Sequence, residues 1–590
     1  MKINRLIKNS LELLRLACKL SPKNMVFTII SAIVNTSKNL LAVLIPGILV
    51  NILTNSQSFS IPLIVVTAFC LITTVADMTA KYFSLKLTSL GYALNNYGAL
   101  HVAQKGMKND YKHWDTASFM EKNLNAVQGT WIFMGITDVY FENLLSGILS
   151  VLAVSYIIAQ VNWLVLVILF ALVVVTVIID RKNIKDQHEM QKEMAALRKK
   201  TQYDSYVLSD LRFGKEIRMF GAVSFFKDKY WKSSEDVLMF QHKRELKSLK
   251  YSIPNSVIGL VESVLVYIAS IMQYSAGKIQ LGFLLVYYGA IIQLKNAINT
   301  VFNFYLDIAE IDEIYGDIKS FLNTEETLRL GHSSVNKDSG FELEVKNVSF
   351  RYPESKEYTL KNISFTISGN EKICIVGDNG SGKTTLVKLL LRLYDVTDGE
   401  ILLNGVNIKE YDYDEYMSVF APVFQDFQLH AFTIRENIAF DEKDNDEKIY
   451  ELLSMYKLDN VIKGLNNKLD TMLTKQLDEN GVDLSGGEKQ KLAMVRAAYK
   501  DARALVLDEP TANIDPIAEA DFYALVRSLF ADKPMVFVSH RMSSAKISDK
   551  ILVFDNGCLI ECGGFNELIQ KGGLFADMYR QQADLYKKRA

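Results

Sequence analysis

The stretch Gly377-Asp378-Asn379-Gly380-Ser381-Gly382-Lys383-Thr384 decides how the rest of this chain is read. It follows the apolar run Lys372-Ile373-Cys374-Ile375-Val376 and precedes the helix-spaced Leu386-Val387-Lys388-Leu389-Leu390. Strand, glycine-rich loop and helix in that order are the setting of a phosphate-binding loop. Glycines let the backbone curl so that successive N–H groups and a helix N-terminus aim at phosphate oxygens. Gly377, Asn379, Gly380, Ser381, Gly382 and Thr385 are therefore candidate phosphate neighbours. Lys383 can reach the outer phosphates, and the Thr384 hydroxyl can hold Mg²⁺.

Ala504-Leu505-Val506-Leu507-Asp508-Glu509 supplies the second half of such a site. Four apolar residues read as a strand buried on both faces of a parallel sheet, ending in two carboxylates. Asp508 at the strand tip suits Mg²⁺, and Glu509 can polarise an attacking water. An ordinary buried strand with an acidic edge has the same local pattern, so the order of further motifs decides between them. Leu484-Ser485-Gly486-Gly487-Glu488-Lys489-Gln490 lies between the two motifs and opens a helical run through Ala498. Ser485, Gly486 and Gly487 at that helix N-terminus form another anion site.

On these residues the carboxy-terminal third resembles the nucleotide-binding domain of ATP-binding-cassette (ABC) transporters, with Leu484–Glu488 matching the family signature. The resemblance implies ATP and Mg²⁺ as ligands. It implies that Tyr352, in Phe350-Arg351-Tyr352-Pro353, stacks on adenine, and that Gln425, in Val423-Phe424-Gln425-Asp426, contacts Mg²⁺ and the attacking water. Asp515 matches the D-loop aspartate and His540 the switch histidine that contacts the γ-phosphate. Glu509, His540 and Gln425 would then be catalytic, with Thr384, Gln425 and Asp508 at the metal. Thr511-Ala512-Asn513-Ile514-Asp515 departs from the commoner Ser-Ala-Leu-Asp but keeps the aspartate. All catalytic positions are intact.

The chain has 590 residues, enough for two to four domains at roughly 100–200 residues each. Its 49% hydrophobic content exceeds what a soluble ATPase needs. A net charge of -1 offers no basic face for nucleic acid. Cys18, Cys70, Cys374, Cys558 and Cys562 imply no disulfide framework. Cys558 and Cys562 lack histidine partners, which discounts a metal.

The excess apolar residues lie in the amino-terminal half. A membrane span needs about 20 mostly apolar residues, and candidates fall near 24–53, 61–86, 131–159, 162–180, 252–276 and 281–306. The expected fold is a multi-domain membrane protein: an all-α six-helix transmembrane domain (1–322), a polar linker (323–340) and an α/β P-loop ABC ATPase domain (341–590). Basic residues set the orientation. The opening segment carries Lys2, Arg5, Lys8, Arg15, Lys19 and Lys23, and loops 87–130 and 181–251 are rich in Lys and Arg. Thr54–Ser60 and Gln160–Asn162 contain none, and Gly277–Gln280 only Lys278. Both termini, the long loops and the ATPase domain are therefore expected in the cytoplasm of a multi-pass cell-membrane protein. The opening segment reads as an amphipathic helix on the inner leaflet rather than a signal peptide.

Gln187–Val207 and Val223–Lys247 show helical spacing, as expected of spans that extend into the cytoplasm. In the resembled exporters the turns of such loops form coupling helices that rest on the ATPase domains, here Tyr111–Lys122 and Tyr206–Gly214. One ATPase domain and six spans imply a dimer, identical chains being favoured over a different second half-transporter. In the dimer Ser485-Gly486-Gly487 completes the partner's ATP site.

Ionisable groups inside spans are expensive and mark functional candidates. Lys38, Asp77, Asp138, Glu142, Glu262 and Lys295 fall there. Asp138, Glu142 and Glu262 could form an acidic cargo wall, or Glu262 could be neutralised structurally by Lys38 or Lys295. Lys215-Glu216-Ile217-Arg218-Met219-Phe220-Gly221 and Phe424-Gln425-Asp426-Phe427 resemble bacterial exporters of bacteriocin and lantibiotic peptides. The first span begins near residue 24, so no peptidase domain is expected before it. The leading expectation is an exporter of a peptide or other amphiphilic cargo across the lipid bilayer. A multidrug or lipid exporter comes next, and a soluble ATPase acting on nucleic acid or ribosomes last.

Overall fold

The computed structural model describes residues 2–20, 22–55, 60–135, 140–159, 163–336, 340–440, 445–510, 516–539, 541–542 and 544–587. The chain packs as two compact units, Met1–Gln104 with Lys122–Asn323, and Lys105–Glu121 with Thr324–Ala590.

The first unit is helical. Among the described residues, Met25–Thr54, Ser60–Lys108, Glu142–Ala159 and Val223–Ser275 are long and apolar enough to cross a bilayer. Leu71, Val75 and Ile64 on Ser60–Lys108 stand exposed, as side chains facing hydrocarbon do. The fourth expected span opens the helix Trp163–Ser209, and the sixth opens Gly282–Leu322. The third is carried by Ile132–Gly135 and Glu142–Ala159; Asp138 between them lies outside the described residues. Helices meet closely where glycine permits. A Cβ on Gly282 would stand 2.0 Å from the Gly47 carbonyl oxygen, and the Gly282 amide donates to Asn51 Oδ1 at 2.8 Å.

Both expected cytoplasmic extensions are helical, lying within Trp163–Ser209 and Val223–Ser275. They pack side by side through Gln187 Nε2 donating to the Arg244 carbonyl at 3.4 Å and the Thr201 hydroxyl to the Ser233 carbonyl at 3.0 Å. The second coupling candidate is not one helix. Trp163–Ser209 ends, a 3-10 turn covers Leu211–Phe213, and Gly214–Met219 follows. Asp210 causes the break by accepting the Arg212 amide at 2.9 Å, a local bond that competes with helix continuation.

The second unit holds two sheets. Strands β1 (Glu342–Phe350), β2 (Leu360–Ser368), β4 (Asp398–Leu403) and β5 (Val406–Asn407) form an antiparallel sheet ordered β2-β1-β4-β5. The other is ordered β10-β9-β3-β8-β7-β6. It contains β3 (Lys372–Gly377), β6 (Phe420–Val423), β7 (Ala504–Asp508), β8 (Met535–Val538), β9 (Lys550–Asp555) and β10 (Cys558–Gly563). All its pairings are parallel except β9 with β10. β3 and β7 are buried along their whole length, as continuous apolar runs require. Ile373 and Ile375 of β3 enter one apolar core, while Cys374 and Val376 enter another. The sheet is thus sandwiched, and the carboxyl ends of β3, β7 and β8 open side by side, where α/β sheets bind ligands.

Segment 105–121 packs within this second unit. Its expected coupling helix is split: Tyr111–Trp114 closes after one turn, and Ala117–Gly129 starts anew. The Thr116 hydroxyl donates to the His113 carbonyl at 2.8 Å and diverts the backbone there. Asp110, 2% exposed, accepts the Thr327 amide at 2.8 Å, the Thr327 hydroxyl at 2.6 Å and the Leu328 amide at 3.2 Å. Burial alone would raise its carboxyl, but these donors and Lys112 prevail and hold it below its ordinary value.

Candidate nucleotide-binding site

β3 delivers the chain to Gly377, whose φ of 151° suits glycine. A Cβ there would meet the Phe554 carbonyl oxygen at 2.2 Å and Ser381 Oγ at 2.8 Å. The loop then enters the helix Lys383–Leu390 through Gly382 at φ 99°. Lys383 is buried and donates to the carbonyls of Gly377 at 3.0 Å and Asp378 at 2.8 Å. Burial lowers the pKa of its ammonium, against the opposing pull of Glu509, Asp378 and Asp508.

The tip of β7 lies across from this loop. Thr384 Oγ1 donates to Asp508 Oδ1 at 3.4 Å, and burial pushes the Asp508 carboxyl up. A divalent cation there would reverse that penalty by supplying positive charge. Glu509 follows with φ 51°, a left-handed conformation that costs free energy in a non-glycine residue. Gln425, just past β6, donates its Nε2–H to Glu509 Oε2 at 3.0 Å.

Gly377, Asp378, Asn379, Gln425 and Glu509 line a cavity of about 590 Å³ together with Met542, Met578 and Gln582. The Ser381 hydroxyl is buried without a hydrogen-bond partner among the described residues. A phosphate oxygen would satisfy it, so the residues present fit a bound nucleotide. Among the described residues no cluster of three His, Cys, Asp or Glu side chains is placed to hold a metal by itself. A cation here would therefore draw ligands from the nucleotide as well, as Mg²⁺ does.

Tyr352 lies at the far side of the same helix, its hydroxyl 3.0 Å from Thr385 Oγ1. Ser485 caps the helix Gly486–Tyr499 through a capping box with Glu488. Ser485 Oγ donates to Glu488 Oε2 at 2.7 Å, and the Ser485 hydroxyl and amide lower the Glu488 carboxyl. Ser485, Gly486 and Gly487 do not line the cavity. His540 and Asp515 lie outside the described residues. Ser539 and Arg541 flank the histidine: the Arg541 amide donates to Ser539 Oγ at 3.0 Å and its guanidinium to buried Glu519 at 2.6 Å.

Sequence reasoning missed Met542, Met578 and Gln582. Met578 and Gln582 are four apart on the helix Leu574–Lys587, so they share a face. Gln582 Oε1 accepts the Met542 amide at 2.9 Å. Nothing in the local sequence of that helix distinguishes it from any amphipathic terminus.

A parallel sheet with a glycine loop at the end of one central strand and paired carboxylates at the end of another defines a P-loop nucleotide-binding domain. Residues 360–512 match the protein family described as ABC transporter, so this domain is an ABC transporter domain. The chain is 35% identical over 392 residues to the subtilin transport ATP-binding protein SpaT of Bacillus subtilis, covering 65% of this chain and 63% of that protein. It is 33% identical over 312 residues to the ATP-dependent lipid A-core flippase of Burkholderia orbicola, covering 50% and 52%. The aligned region thus spans less than two thirds of either relative. A solved bacterial Atm1-family ABC exporter with ATP bound superposes with a TM-score of 0.79 at 22% identity, over 95% of this chain and 98% of that one. The chain has the ABC exporter fold: a helical region with helices long and apolar enough to cross a bilayer, and an α/β ABC transporter domain.

Proposed function

We propose that this chain is one half of a dimeric exporter that uses ATP hydrolysis to move a peptide out of the cytoplasm. One observation carries the reading: the nucleotide cavity is built on the same chain as helices long and apolar enough to cross a bilayer. The working division is a transmembrane domain (1–322), a linker (323–340) and an ATPase domain (341–590), with both termini and the ATPase domain cytoplasmic in the cell membrane.

At the site, Lys383 and the loop amides hold the phosphates, and Tyr352 stacks on the base. Thr384, Asp508 and Gln425 would hold Mg²⁺, which when bound neutralises charge building on the phosphates. Glu509, oriented by Gln425, directs the attacking water. His540 would contact the γ-phosphate, and Asp515 is assigned to the D-loop beside the nucleotide.

Support for a second chain comes from the signature. A Cβ on Gly486 or Gly487 would meet nothing within 4 Å. Among the described residues no steric demand calls for glycine there, while a partner's phosphate approaching that helix end would. Intact catalytic positions favour an identical partner.

The cargo reading rests on similarity to a subtilin transport protein. The intramembrane carboxylates lend it less than the sequence led one to expect. Glu142 is buried and accepts Ser31 Oγ and Asn35 Nδ2, both at 2.6 Å. Glu262 Oε2 lies 3.3 Å from Lys295 Nζ, the structural pairing, while its Oε1 has no partner among the described residues. Both donors reach Glu142 Oε1, and Glu262 Oε1 is unpaired, so each of the two described carboxylates keeps an oxygen with capacity for a cationic solute. Similarity to the lipid A-core flippase favours a lipid as the second reading.

The test is ATPase stimulation in nanodiscs. Basic amphiphilic peptides should raise hydrolysis several-fold and be carried into proteoliposomes only with ATP. Stimulation and flipping of a lipid A-type glycolipid with no response to peptides would replace peptide by lipid.

A further inference from the structure

Lys388 lies one turn beyond Thr384 on the helix Lys383–Leu390. Its ammonium stands 5.6 Å from the ring centroid of Tyr111, 5.8 Å from Tyr352 and 5.8 Å from Tyr394. The rings also meet edge to face: Tyr394 is 5.7 Å from Tyr111, 5.4 Å from Tyr352 and 5.5 Å from Phe350. Among the described residues no carboxylate pairs with Lys388.

Each wall of this cage is fixed from outside. The Tyr352 hydroxyl contacts Thr385, and the Tyr394 hydroxyl donates to the Asp115 carboxylate. Burial and that carboxylate push the Tyr394 phenol well up, which keeps its proton in place for donation. Two rings come from the nucleotide-binding domain itself. The third, Tyr111, comes from segment 105–121, which Asp110 and Asp115 anchor to the same unit.

An ammonium over aromatic faces is attracted by their negative quadrupoles, more strongly as water is excluded. Moving any one ring therefore changes the energy of the cation against the other two. We propose that Lys388 is a positioning residue that ties the base-stacking ring of Tyr352 to Tyr111, so that base binding and the seating of segment 105–121 stabilise each other. The inference rests on Tyr352 taking the base, as proposed above. Linkage makes the effect reciprocal: loosening the segment weakens the base as much as losing the base loosens the segment.

The experiment compares Mg-ATP with Mg-tripolyphosphate, which has phosphates and no base, on the full chain in nanodiscs. Affinities are read as the ratio of the two Kd values, which cancels any change in net charge felt by both ligands. Amide hydrogen exchange is followed in peptides covering 105–121. In the wild type, ATP should bind more tightly than tripolyphosphate and slow exchange in that segment, while tripolyphosphate should not. Lys388→Met should cut the preference for ATP about five-fold and abolish the slowing, and Lys388→Arg should restore both. Tyr111→Leu, which leaves Tyr352 and Lys388 in place, should also abolish the slowing.

An unchanged preference in Lys388→Met, or slowing that persists in it, overturns the inference. Equal loss for both ligands also overturns it, because Lys388 would then act on the phosphate end. If wild type binds both ligands equally, Tyr352 takes no base and the base-stacking reading falls first.

Discussion

Two of the places where this chain buries acidic groups handle them differently. In the helical unit, Glu142 Oε1 accepts from Ser31 and Asn35, and Glu262 Oε2 pairs with Lys295. In the nucleotide-binding unit, Asp508 and Glu509 share their surroundings with a buried lysine, an unpartnered Ser381 hydroxyl and a left-handed backbone. Buried polar groups normally find partners within the fold. Each region keeps an oxygen without a partner among the described residues, Glu262 Oε1 in the first and Ser381 Oγ in the second. Only in the second does it stand beside a glycine loop, a buried lysine and paired carboxylates, as in a binding site before its ligand arrives. An unpartnered atom locates function where its neighbours share a chemistry.

The largest effects should come at the nucleotide site. Glu509→Gln is expected to slow ATP hydrolysis roughly 10²–10⁴-fold while nucleotide stays bound, as measured by phosphate release and retained radiolabelled ATP. Equal turnover in variant and wild type would move the water-directing role elsewhere. Lys383→Ala should lower hydrolysis about 10²–10³-fold and weaken nucleotide binding itself, with membrane insertion unaltered. Near-normal transport by that variant would remove the phosphate-loop assignment. Ser485→Ala separates the two dimer readings: in an identical pair both composite sites are damaged and hydrolysis drops at least ten-fold, whereas appreciable activity alongside a different subunit would favour unlike halves.

The helical unit predicts smaller, structural effects. Glu142→Leu strands the Ser31 and Asn35 donors and should cost about 1–3 kcal/mol of stability, seen as a lower Tm in detergent. ATPase activity per folded molecule should stay within two-fold. A large change in cargo preference at unchanged Tm would place Glu142 on the pathway instead. The mildest test is pH. Asp110 has a folded pKa below its ordinary 3.8, so its anchoring is complete at neutral pH. It is lost only as pH falls below that ordinary value toward the lower folded one. Exchange protection of the Thr327 amide should therefore hold down to about pH 4 in wild type, and Asp110→Asn should lose part of it at every pH.

Much of this was legible in the sequence because the nucleotide site is made of short contiguous motifs. Gly377–Thr384 and Ala504–Glu509 each declare strand, loop and charge within a few residues, and β3 and β7 form where the apolar runs stand. Long apolar stretches likewise announced the helices. What the sequence hid was assembled from afar. Gln582 reaches the cavity from the last helix, and Lys388 gathers rings from positions 111, 352 and 394. Ion pairing inside the helical unit was legible only as alternatives, since spacing could not choose between Lys38 and Lys295; the structure pairs Lys38 with Asp77 and Lys295 with Glu262. Local breaks at Asp210 and Thr116, set by side-chain bonds to nearby backbone, split two segments that the family resemblance implied to be single coupling helices.

The grip of Asp110 on Thr327 and Leu328 also sets a schedule. The partners are 217 residues apart. At translation rates of about 5–20 residues per second, Asp110 emerges roughly 10–40 s before Thr327 exists to receive it. During that interval its carboxylate must stay in water, because burying it unpartnered would cost several kcal/mol, about the margin on which a domain survives. Segment 105–121 is therefore among the first parts made and the last to settle. A ribosome that stalls before Thr327 would release a helical unit with Asp110 still without its partners, a natural marker for quality control.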